Sequence, residues 1–100
     1  MYGIHRWGSG YFGVNPDGHV SVHPEGEAGP AVDLIKVAQR ARERGLRYPL
    51  LIRFHDLLRH RVRAINEAFA EAIKSARYKG EYRGVFPIKV NQMREVVEEI

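Results

Sequence analysis

Val85-Phe86-Pro87-Ile88-Lys89-Val90-Asn91-Gln92 is the stretch on which the reading of this chain turns. It opens as a short apolar run, rich in residues that favour strands, and ends in polar side chains. Lys89 stands where the run gives out. A long amphipathic helical pattern precedes it, and before that lies another apolar run, Leu50-Leu51-Ile52. Strand, helix, strand is the order of a parallel βαβ unit. In such units the C-terminal ends of the strands form the ligand-binding face, so Lys89 is expected on that face. Read on spacing alone, a lysine at a strand exit is a solvated surface residue.

The helix between the two runs is the clearest periodic element. Leu58, Val62, Ile65, Phe69, Ala72 and Ile73 recur three and four residues apart, which makes one stripe expected to be buried. Arg59, Arg61, Arg63, Glu67, Glu71 and Lys74 fall largely outside it. Asp56 is placed to cap the helix start, and Lys79-Gly80 is expected to close the crossover. The preceding strand is expected over Pro49–Phe54, followed by His55-Asp56. Pro87 cannot donate to a ladder, so the second strand is expected to pair up to about Phe86, with Pro87 marking an irregularity that re-aims Lys89. After Asn91 a third helix is expected, with Met93, Val96, Val97 and Ile100 as its apolar face. That stripe breaks off without a cap, so we expect the N-terminal piece of a longer protein.

Nearer the start, Asn15-Pro16-Asp17-Gly18 suits a type I turn, with Asn first, Pro preset at the second position and Gly last. Tyr11–Val14 and His19–Val22 flank it as a hairpin. Phe12 with Val14, and Val20 with Val22, give the ribbon one apolar face. Such a ribbon is marginal alone and must pack on something. Residues 23–30 form a loop by composition. A helix follows, with Asp33 as its cap, Leu34, Ile35, Val37, Ala38 and Ala41 as its stripe, and Gly45 as its stop. The expected division is therefore 1–30, ribbon and loop, and 31–100, the βαβ portion. Gly8, Gly10 and Gly13 are at no phosphate-loop spacing and read as structural.

The totals narrow the function. One hundred residues with 44% apolar content make about one small domain rather than a disordered tail. With no cysteine there is neither a disulfide framework nor a thiolate metal site. No run approaches a membrane span, and the N-terminus lacks the pattern of a signal peptide, so we expect a cytoplasmic protein with no membrane partner. The net charge of +4 comes from scattered arginines among acids and reads as solvated helix surface. His5, His19, His23 and His60 show no ligand spacing such as an i, i+4 pair, so no metal site is expected from them.

Phe86-Pro87-Ile88-Lys89-Val90-Asn91-Gln92 closely resembles the cofactor-lysine segment of the biosynthetic arginine decarboxylases, pyridoxal-phosphate enzymes built on an alanine-racemase-like barrel. The resemblance extends to Trp7-Gly8-Ser9-Gly10-Tyr11-Phe12, Val14-Asn15, Gly18-His19-Val20-Ser21-Val22 and the run from Arg53 to Asn66, hence to most of the chain. It implies an α/β fold, the start of a TIM-type (β/α)8 barrel preceded by a hairpin that joins a β-domain in the full-length protein. It implies that Lys89 is both catalytic and cofactor-binding, holding pyridoxal 5'-phosphate as a Schiff base. The implied reaction is decarboxylation of L-arginine to agmatine and CO2, in polyamine and spermidine biosynthesis. The family is also associated with magnesium, though no carboxylate cluster here stands out for it. A homo-oligomer, dimer or tetramer, is the implied assembly.

A free lysine, with a pKa of about 10.4, is almost wholly protonated at neutral pH, so this chemistry asks for a dry setting or a neighbouring cation. Arg53 and His55, at the exit of the first expected strand, are placed where they could border the cofactor, although a strand-end His-Asp pair is more often a cap and a solvated side chain. An acidic partner for the pyridine nitrogen, backbone N–H groups for the phosphate and a carboxylate for the guanidinium are also needed. These are expected beyond Ile100, which leaves the fragment alone inert. Alternatives keep the fold and change the substrate: diaminopimelate, ornithine or carboxynorspermidine decarboxylase, alanine racemase, or a non-catalytic cofactor-binding protein. A purely structural N-terminal module, with Lys89 solvated, is another. A more distant one is a basic RNA-binding module, supported by Arg40, Arg42, Arg44, Arg47, Arg59, Arg61 and Arg63. Arg61 points away from Arg59 and Arg63, so no single stripe forms, and no nucleic-acid partner is expected.

Overall fold

The structure is a computed structural model that describes residues 2–100. It divides into two compact units, residues 1–57 and residues 58–100. The first holds a short helix α1 (Ile4–Trp7), strands β1 (Phe12–Val14), β2 (Val20–Val22) and β3 (Val32–Asp33), and helix α2 (Leu34–Glu43). Helix α3 (His55–Ser75) begins at the boundary. The second unit adds a 3-10 turn at Ile88–Val90 and a short helix α4 (Arg94–Val97).

The hairpin forms where the turn residues place it. Phe12 pairs with Val22 and Val14 with Val20, antiparallel. Asn15 closes the loop three ways. Its N–H donates to the His19 carbonyl at 2.9 Å, its carbonyl accepts from Gly18 N–H at 2.9 Å, and its Oδ1 accepts from the amides of Asp17 and His19 at 3.1 and 2.9 Å. Gly18 has φ +79°, the left-handed residue that follows a type I turn in a three-residue hairpin loop. The ribbon's partner is β3, paired antiparallel to β2 through Ser21–Asp33 and Val22–Val32, with α2 lying against β2 and β3. The loop expected at residues 23–30 therefore leads into a third strand before the helix, and β3 pairs with the ribbon. Val22 is fully buried and Tyr11 and Ser21 nearly so. Trp7 packs on Phe12, ring centroids 5.4 Å apart.

Both ends of α2 follow from single residues. Asp33 Oδ1 accepts from the amides of Ile35 and Lys36 at 2.9 and 3.4 Å, satisfying two donors that a helix start leaves open. At the other end Gly45, φ +84°, donates to Arg42 O while Leu46 donates to Ala41 O, the double bond of a Schellman stop. Helix α3 ends the same way with no glycine: Arg77, φ +51°, donates to Lys74 O and Tyr78 to Ile73 O. The stop thus comes at Ser75, ahead of the expected Lys79-Gly80. At the start His55 is the first helical residue, and Asp56 lies inside the first turn, where its charge suits the helix dipole.

Two expected strands are not strands here. Residues 50–54 and 81–87 are irregular, with no ladder. Leu51 is 79% exposed and Val85 89% exposed. An extended segment becomes a strand only when neighbouring backbones take its N–H and C=O groups, and parallel strands need neighbours from distant parts of a chain. For the same reason the stripe of α3 is only half covered, and no residue of the helix is buried. Within the second unit Phe69 stacks on Tyr82 at 4.0 Å and 2° between planes. The third helix shortens to Arg94–Val97, with Val96 buried.

Candidate functional site

Lys89 is the middle residue of the 3-10 turn Ile88–Val90. Pro87, with φ −78° and ψ 84°, leads into it and accepts Val90 N–H on its carbonyl at 3.0 Å. Asn91, extended at φ −151°, ends it by donating its N–H to Ile88 O at 3.0 Å. The Asn91 side chain then turns forward, and its Oδ1 accepts Met93 N–H at 3.3 Å. Pro87 thus leads from an irregular segment, not from the paired strand expected up to Phe86, into the tight turn that carries Lys89. Lys89 is exposed, and among the described residues its ammonium makes no hydrogen bond or ion pair. An amine so placed is open to an incoming aldehyde, but the dry setting that the chemistry asks for is not formed around it within this stretch, since Lys89 is exposed.

Beside this turn, the second unit carries a groove of about 420 Å³ between α3 and residues 82–86. Leu58, Val62, Ile65, Tyr82, Val85 and Phe86 line it, and Lys89 is not part of the lining. Arg53 and His55, expected to flank the same face as Lys89, lie in the first unit. Arg53 is exposed on the irregular segment, and His55 opens α3 half-buried.

In the first unit the fold gathers side chains that spacing did not connect. Ligand atoms of Asp17, His19 and Asp33 come within 4.8 Å of one another. The Asp33 carboxylate is already taken up by four donors: two helix amides on Oδ1, and on Oδ2 the Asn15 amide at 3.0 Å and His19 Nδ1 at 2.9 Å. The cluster ties the hairpin turn to the start of α2. Sequence reasoning found the cap but not the His19 contact, because fourteen residues and a strand pairing separate the two. It also missed Ser21 Oγ and His23 Nε2, 3.3 Å apart on one strand face.

The His19 imidazole, followed by the amides of Lys36, Asn15 and Ile35, lowers the Asp33 carboxyl from 3.8 to about 2, with desolvation opposing them. A lowered carboxyl favours the folded state while it is ionised. Its contribution is therefore complete above about pH 4 and is lost as pH falls toward 2. We expect hydrogen-exchange protection of the Ile35 and Lys36 amides to decline over that window. An Asp33→Asn variant should start less protected and show no such decline. A parent chain whose protection stays flat from pH 5 to about 2 would contradict this.

No protein-family model matches the chain. Curated relatives do, over its whole length. It is 49% identical over 100 residues to the biosynthetic arginine decarboxylases of Gloeobacter violaceus and Parasynechococcus marenigrum. It is 46% identical over 98 residues to that of Thermosynechococcus vestitus. All of this chain is covered in the first two comparisons, and it spans about 16% of those relatives' own length. Over its whole length the chain is thus similar to biosynthetic arginine decarboxylases, matching a stretch about one sixth as long as those enzymes themselves.

Proposed function

We propose that the full-length protein decarboxylates L-arginine to agmatine and CO2, with Lys89 as the residue that carries pyridoxal 5'-phosphate. The observation that supports this most is the 49% identity across all 100 residues to proteins named biosynthetic arginine decarboxylase. The barrel to which residues 50–54 and 81–87 would contribute strands is part of the same proposal. So are a homo-oligomeric assembly and a cytoplasmic setting. Among the described residues no helix is long and apolar enough to cross a membrane.

Pyridoxal 5'-phosphate, when bound, supplies an electron sink for the pair released at Cα as the carboxylate departs. Lys89 supplies a tether. Its Nζ, as the free amine, would be the atom that holds the aldehyde carbon of the group. With substrate bound, the Lys89 amine would be placed to hold or pass a proton at Cα. The turn at Ile88–Val90 follows residues 81–87, which in the proposed barrel would form the strand that delivers this amine to the ligand face.

The discriminating experiment is CO2 release by the full-length protein supplied with pyridoxal 5'-phosphate and, in parallel, arginine, ornithine and meso-diaminopimelate. We expect arginine to be preferred by a kcat/KM ratio on the order of 10²-fold or more, since the guanidinium offers planar, bidentate pairing that an ammonium lacks. Faster turnover of either competitor would reassign the substrate and leave the role of Lys89 intact.

A further inference from the structure

We propose that Asn91 is a positioning residue for Lys89. The inference rests on the reading of Lys89 as the cofactor lysine and adds to it the group that sets the direction of the amine. Because the Lys89 side chain makes no hydrogen bond or ion pair among the described residues, its course is governed by the backbone from which it springs. That backbone is held at two points. On the entry side the ring of Pro87 restricts φ, and the Pro87 carbonyl is bonded to Val90 N–H.

On the exit side everything converges on Asn91. Its N–H closes the turn onto Ile88 O, and its Oδ1 holds Met93 N–H. Met93 itself provides no side-chain cap to α4, and Val96 and Val97 donate to its carbonyl. Asn91 Oδ1 thus supplies a side-chain bond that links the Lys89 turn to the helix that follows it. Asn and Asp are favoured at such sites because their short side chains bond backbone two residues on. Without that acceptor the turn keeps its Pro87 side and loses its fixed relation to α4. The amine then samples a wider arc, and attack on a held aldehyde depends steeply on placement, about 10²-fold for a misplacement near 1 Å.

The test uses the full-length protein, freed of cofactor, as parent, Asn91→Ala and Asn91→Ser. Each is mixed with pyridoxal 5'-phosphate, quenched with borohydride at set times and digested, and the pyridoxyl on Lys89 is quantified by mass spectrometry. The expected result is Lys89 labelling slowed on the order of tenfold to a hundredfold in Asn91→Ala, with the melting temperature near that of the parent. Asn91→Ser, whose hydroxyl can accept the same N–H, should recover most of the rate. Parent-like labelling of Asn91→Ala would overturn the proposal. So would a slowed rate accompanied by a lowered melting temperature and no recovery in Asn91→Ser, since that marks a structural role only. If the parent itself is not labelled at Lys89, the cofactor-lysine reading fails and this inference falls with it, and the parent arm shows that separately.

Discussion

Lys89→Ala in the full-length protein is expected to lower arginine decarboxylation about a thousandfold or more while leaving the fold intact. Lys89 is exposed and bonded to nothing among the described residues, so truncating it removes no packing and orphans no partner. What disappears is the nucleophilic amine. Lys89→Arg sharpens the point. Arginine keeps the positive charge and a comparable length, but its guanidinium does not deprotonate in proteins and cannot form the covalent bond. If Lys89 served only as a surface cation, the arginine variant would work. On the present account both variants are inactive, with circular dichroism and melting temperature near those of the parent. Parent-like kcat/KM in either variant would remove Lys89 from the chemistry.

The second large effect concerns the ribbon. Val20 and Val22 lie two apart on one strand and carry the same side chain, yet Val22 is 0% exposed and Val20 38%. An aspartate at 22 would bury a carboxylate with no partner, at a cost of several kcal/mol. That is a large fraction of the stability of an ordinary domain. Val22→Asp in the full-length protein should therefore expose residues 1–57 to limited proteolysis. Val20→Asp reaches water beside Val14 and should cost about 1 kcal/mol or less. Equal sensitivity in the two variants would mean that Val22 is not buried as described.

That contrast also shows how far residue patterns carry. The Val20 and Val22 alternation places both on one face, but the depth of each depends on what packs over that face, which no local pattern states. The hairpin was legible because Asn15, Pro16, Asp17 and Gly18 act within four residues. The limits of α2 were legible for the same reason, in Asp33 and Gly45. Strand β3, two residues long, has no periodicity to read, and neither does α1, with four. Arg77 takes a left-handed conformation that nothing in its chemistry announces, so α3 ends before the Lys79-Gly80 pair that composition marks. Leu50–Phe54 and Val85–Phe86 have strand-like composition, but their state depends on backbones from elsewhere in a fold. Within the candidate site Lys89 stood out only through the wording around it. Its setting on a 3-10 turn was foreshadowed by Pro87, and the closing role of Asn91 emerges only from the hydrogen bonds.

Borohydride reduction of the full-length protein with pyridoxal 5'-phosphate, followed by peptide mapping, tests the central claim most directly. The account predicts a single pyridoxyl group on Lys89, lost when arginine is present before reduction. Label spread over Lys36, Lys74 and Lys79, with Lys89 no more reactive than these, would contradict it.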